Sequence, residues 1–207
     1  MLDNALTDIC RRKSHLKLDY GTEFINENKY DFLSKHSNQT NEKYDDIHLL
    51  KIHGSLNWIY CSYCKSIEIT PKEKGAKKIF FNQRPDKFVF DTKCKCRANR
   101  KELLIPPTNY VDKRYEILNT VWSKTEKILQ KASKVIFIGY SLPESDVDVK
   151  TILENNIFTK DDNYANIIVI DKGENKEIKS KYNRLFGENN VSYHTIGFEE
   201  YSKNPFF

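Results

Sequence analysis

At 207 residues, with 39% hydrophobic and 13% aromatic residues, the chain is long enough for one core plus an insertion and too short for two full domains. No apolar run approaches the roughly 20 residues that span a bilayer. Residues 1–6 show no basic-then-apolar leader pattern, so neither a membrane span nor a secretory signal is expected and a cytoplasmic location is.

The net charge of +5 comes from 34 Lys and Arg against 29 Asp and Glu that alternate through nearly every segment. Most of these charges read as solvated faces, and nucleic acid is not expected as a partner. Five cysteines in a reducing compartment favour metal ligation over disulfides.

Residues 1–25 read as a helix followed by an irregular, partly apolar stretch. Leu2, Leu6 and Ile9 share a helical face, and Gly21 marks a break. Cys10, without a cysteine neighbour, reads as a buried structural thiol. Residues 26–46 are polar, a surface loop for which Tyr30, Phe32 and Leu33 offer an anchor. A strand over 47–52 then runs into His53-Gly54. The glycine lets the backbone turn and leaves the histidine at the strand's carboxyl end, where ligands sit in open α/β sheets. Trp58 packs the junction to the cysteine-bearing insertion. Beyond Cys64, the runs 78–81 and 88–90 form a hairpin around Arg84-Pro85-Asp86 that brings Cys94-Lys95-Cys96 back toward Cys61 and Cys64. Residues 103–109 re-enter the main domain as a short strand ending at prolines.

Between 114 and 132, Ile117, Leu118, Val121, Trp122, Ile128, Leu129 and Ala132 recur at three- and four-residue steps, which predicts a helix with one apolar stripe. The run 135–138 is continuous enough for a strand covered on both faces. A helix starting at Ser141 or at Ser145 buries Val149, Ile152, Leu153 and Ile157. A buried strand over 167–170 ends in Asp171, followed by a helix over 174–186 and a strand over 191–196. This β-α-β-α-β order predicts a parallel sheet with right-handed crossovers.

Two constellations carry chemistry. Cys61-x-x-Cys64 and Cys94-x-Cys96 lie in a polar, Lys-rich stretch where four thiols make a poor core. Paired thiolates suit tetrahedral Zn2+, and four protein ligands leave no open position, so the role is structural. The one-residue spacer of the second pair makes that geometry harder to close. A lone histidine is usually structural, but His53 is placed at a strand end, before a glycine and a cysteine module.

The stretch from Leu49 to Cys64 and the segment Gly139-Tyr140-Ser141-Leu142-Pro143-Glu144-Ser145-Asp146 resemble the sirtuin family, in the form found in antiviral defence proteins of bacteria. The resemblance implies an α/β fold: a partial Rossmann-like parallel sheet over 1–58 and 103–207 with a zinc ribbon inserted at 59–102. It implies NAD+ as substrate and hydrolysis with release of nicotinamide. His53 matches the family's base at the nicotinamide ribose, an imidazole that can accept a hydroxyl proton near neutral pH. Gly54 matches a point of close approach, and Gly139 and Ser141 match donors to phosphate or ribose oxygens. Ser141 as a plain helix cap is an equal reading. Asp171 matches an acid for ribose hydroxyls, near a position where sirtuins often use asparagine.

The departures are as informative. The seven glycines stand at 21, 54, 75, 139, 173, 187 and 197, so no phosphate-cradling Gly-Ala-Gly loop can be read. The resemblance implies that the chain begins just after that element, with about two-thirds of a family domain. An N-terminal half or a homo-oligomer would complete the site. The deacylase members' Phe-Gly-Glu segment is replaced by Ile105-Pro106-Pro107-Thr108, which favours NAD+ hydrolysis over NAD-dependent protein deacylation. The contrasting reading is a non-catalytic zinc-ribbon binding module or decayed fragment.

Overall fold

The structure, a computed structural model, describes residues 2–26, 29–34, 45–69, 93–105, 116–157 and 165–205. These fall into two compact units, one of residues up to 105 with 116–124 and one of 125–157 with 165–205. Both are mixed α/β with small parallel sheets. The hairpin expected at 78–90 lies outside the described residues.

In the first unit, α1 (Leu2–Arg12) precedes β1 (Leu16–Asp19), which pairs in parallel with β2 (Asp45–His48) in the register Leu16↔Asp45 through Asp19↔His48. On α1, Cys10 is buried as expected of a structural thiol and Leu6 packs against the same core, whereas Ile9 is exposed and Thr7 is buried. Phe32 and Leu33 do anchor the polar stretch, with Leu33 bridged to Leu18 on β1. An antiparallel sheet of order β4-β3-β5 comes next, from β3 (Gly54–Cys61), β4 (Ile67–Ile69) and β5 (Arg100–Leu104). Asn26 extends its edge, donating to the Ile69 carbonyl at 2.8 Å and accepting the Ile69 N–H at 3.1 Å. Trp58 is fully buried edge-on against Tyr20 and Phe24, as a packing role at the junction requires.

The helix α2 (Glu116–Leu129) is divided between the units at Lys124, and its Leu118 and Val121 join the first unit's core. In the second unit β6 (Lys134–Ile138), β7 (Asn166–Ile170) and β8 (Val191–His194) form a parallel sheet in sequence order. The connecting helices are α3 (Val147–Asn156) and α4 (Lys176–Phe186), and α5 (Phe198–Lys203) follows. On α3, Val149, Ile152 and Leu153 are buried, with Ile157 just beyond its end, the face that their three- and four-residue spacing predicts. Of the two candidate helix starts, the structure takes the later: Asp146 is the N-cap residue, and Ser141 lies in the irregular segment before it.

A candidate metal centre beneath a histidine turn

The sulfurs of Cys61, Cys64, Cys94 and Cys96 all lie within 4.8 Å of one another. The contacts cross between the pairs: Cys61 meets Cys96 and Cys64 meets Cys94, each at 3.5 Å. Four thiolates about 2.3 Å from a central zinc ion stand about 3.8 Å apart, so the cage matches that donor set closely. Four close cysteines so arranged could hold a metal ion such as zinc.

Two turns of the same construction make the cage. The Cys61 N–H donates to the Ser66 carbonyl and the Cys94 N–H to the Ala98 carbonyl, both at 2.9 Å. Those acceptors each stand two residues past their pair's second cysteine. The residue between is left-handed in both turns, Lys65 with φ 60° and Arg97 with φ 68°. This shared geometry explains how the short Cys-x-Cys spacer closes: Arg97 N–H donates to the Cys94 carbonyl at 2.8 Å and folds the chain back within one turn. Arg100 on β5 reaches across β3 to Glu68 on β4 through two bonds of 2.9 Å, bracing the strands that carry the turns.

Backbone N–H groups aim at the sulfurs and favour thiolate. The Cys96 N–H, with the Ser66 hydroxyl, lowers the Cys94 thiol to about 5. The Ser66 hydroxyl and N–H likewise hold Cys64 below its ordinary value. Cys96 moves the other way, to about 11: the Ala98 N–H favours its thiolate, but burial and the neighbouring thiols oppose further charge there. Deprotonating the whole set therefore calls for a cation at its centre.

His53 sits at the root of this module. The strand expected to deliver it ends at His48, and His53 instead occupies a turn closed by the Gly54 N–H donating to the Lys51 carbonyl at 2.8 Å. The Ile105 N–H, just past β5, donates to the His53 carbonyl at 2.8 Å. The imidazole lies edge-on to Trp122, whose indole N–H donates to the Ile52 carbonyl at 2.9 Å. Gly54 has φ 77°, and a Cβ there would stand 2.2 Å from the Leu103 carbonyl oxygen. Its glycine is thus required by the pairing of β3 with β5. Beside the turn, Lys51 donates to the Ser55 hydroxyl at 2.8 Å, which donates to Asn57 at 2.6 Å.

Gly139, Ser141 and Asp171 belong to the second unit. Gly139 follows β6 with φ 60° and its Cβ direction is open, Ser141 is exposed, and Asp171 follows β7 and accepts the Tyr193 hydroxyl at 2.9 Å. Two backbone bonds, Gly139 N–H to Ile170 and Asp171 N–H to His194, lace these carboxyl ends together. Between them Leu142, buried and directly before a proline, has φ 48°, an uncommon conformation for a bulky residue.

One polar centre escaped the sequence reading. Asp19, its side chain wholly buried at the carboxyl end of β1, bonds His48 Nδ1 at 2.8 Å, the Lys124 ammonium and the Gly21 N–H at 2.7 Å. Burial alone would raise the Asp19 carboxyl, but Lys124, Gly21 and His48 outweigh it and hold it below the usual carboxylate range. Its members are up to 105 positions apart, so no spacing could signal it.

No helix among the described residues is long and apolar enough to cross a membrane. No protein-family model matches the chain, and no curated protein does.

Proposed function

We propose that the chain is part of a sirtuin-like NAD+-hydrolysing enzyme, with a zinc ion held by Cys61, Cys64, Cys94 and Cys96 as a structural clamp. The observation that carries this reading is the placement of the His53–Gly54 turn at the root of the cysteine module. β3 leaves the turn for the first cysteine pair, and the chain returning from the second pair along β5 bonds the His53 carbonyl. A metal at the far end would then hold the turn's two strands in register.

In this reading His53 accepts a ribose hydroxyl proton as the nicotinamide–ribose bond breaks and positive character develops on the ribose. Water adds to that carbon, giving nicotinamide, ADP-ribose and one proton. Trp122 fixes the turn and one side of the imidazole. Within the second unit, Gly139, Ser141 and Asp171 follow the ends of neighbouring parallel strands, where the resemblance assigns nucleotide oxygens. Zinc, fully ligated by protein, supplies no chemistry of its own. The pyrophosphate needs converging N–H groups at close approach, and no glycine-rich loop for that occurs in these 207 residues. That loop is assigned to a further segment or partner chain, so the 207 residues alone should bind NAD+ weakly.

The test is nicotinamide release by the product of the complete native reading frame. His53→Ala should lower turnover by orders of magnitude with metal content unchanged. Near-wild-type turnover in that variant removes His53 from the chemistry. An intact metal centre in a wild-type protein that neither binds nor consumes NAD+ selects the non-catalytic ribbon module instead, the reading that the missing glycine loop favours.

A further inference from the structure

We propose that the face formed by the two cysteine turns is a docking surface for single-stranded nucleic acid, in which Tyr63 stacks on an unpaired base and Lys65, Lys95 and Arg97 contact phosphates. Tyr63, between the first two cysteines, is 78% exposed. Lys65, Lys95 and Arg97 are exposed as well, and none has an acidic partner among the described residues. Two of these residues lie on each turn, and the clustering of the four sulfurs brings the turns together. Cations about 30 positions apart in the sequence are thereby carried on two neighbouring turns, one of which also bears the exposed tyrosine.

The charge distribution points the same way. Residues 59–102 hold twelve of the 34 Lys and Arg but only five of the 29 Asp and Glu, which leaves the rest of the chain slightly acidic. The chain's positive excess therefore belongs to this module, although the surface itself is defined by the four described side chains. Lys65 and Arg97 occupy left-handed positions where glycine would be unstrained, so the turns carry long cations where the backbone disfavours them.

A plainer role for the cations is to offset the two net negative charges of a zinc tetrathiolate. Charge balance alone leaves the exposed tyrosine unexplained, whereas an exposed aromatic carried with three cations on two neighbouring turns suits base stacking with phosphate contact. A duplex hides the base faces, so a single strand is the fitting partner.

Fluorescence anisotropy on the metal-loaded full chain tests this, using a labelled oligouridine of about 20 nucleotides, the matching oligothymidine and a duplex. Micromolar binding to either single strand, at least about fivefold tighter than to the duplex, is expected. Tyr63→Ala should weaken it about tenfold and Tyr63→Phe should retain it. The triple variant Lys65→Ala, Lys95→Ala, Arg97→Ala should flatten the dependence of log affinity on log salt by about 2, with metal content unchanged. The proposal is overturned by wild-type affinity in Tyr63→Ala, by polyglutamate competing as well as oligouridine, or by no binding at about 50 μM protein in low salt. Loss of metal from the triple variant would assign the cations to the metal centre and overturn it too.

Discussion

At the scale of single residues, two glycines with similar backbone angles carry different constraints. Gly54 faces the Leu103 carbonyl, so Gly54→Ala must push β5 away, whereas a Cβ at Gly139 meets open space. Urea unfolding should show Gly54→Ala losing roughly 3 kcal/mol or more, and Gly139→Ala about 1 kcal/mol from its left-handed angle alone. Equal effects would contradict the assigned packing.

Asp19 makes a second residue-scale prediction. Asp19→Asn leaves Lys124, His48 and the Gly21 N–H without their shared carboxylate and should cost roughly 2–4 kcal/mol at neutral pH. Because the folded carboxyl lies below its unfolded value of about 3.9, its contribution is complete above that pH and fades as pH falls through the lower folded value. The gap between wild type and Asp19→Asn should thus shrink as pH falls below about 4. Trp58 and Trp122 both report on the first unit, so their fluorescence follows this transition. A gap that widens in acid would refute the assignment.

At the scale of elements, the sequence was readable wherever an apolar pattern outlasted one turn or one strand. The stripe from Ile117 to Leu129 predicted α2, and the runs 135–138 and 167–170 predicted β6 and β7 within a residue or two. Length does not explain the misses: β8 is also four residues and was legible, whereas β1, β2 and the eight-residue β3 were missed or misplaced. Asp45-Asp46-Ile47-His48 is mostly exposed and defined by its parallel register, not by its hydrophobicity. The cysteine pairs were legible from their spacing, while the matching left-handed turns were hidden because Lys65 and Arg97 are not residues that announce such angles. If the turns are clamped by metal, a chelator should act element by element. Amide exchange in β3 and β5 should accelerate at least about tenfold with β6–β8 unaffected. Uniform acceleration through both sheets, or none, would break the proposed coupling.

At the scale of the whole molecule, the cysteine cage organises what is proposed for the chain: the His53 turn is rooted in its strands, and the basic face is made by its two turns. Metal analysis of protein purified without chelator, paired with thiol titration, tests that cage most directly. The account predicts about one equivalent of zinc per chain, Cys10→Ser leaving it unchanged, and four thiols that become reactive only when acid or chelator removes the ion. Less than about half an equivalent of zinc, with the four thiols freely reactive or joined as two disulfides in the native protein, would contradict it.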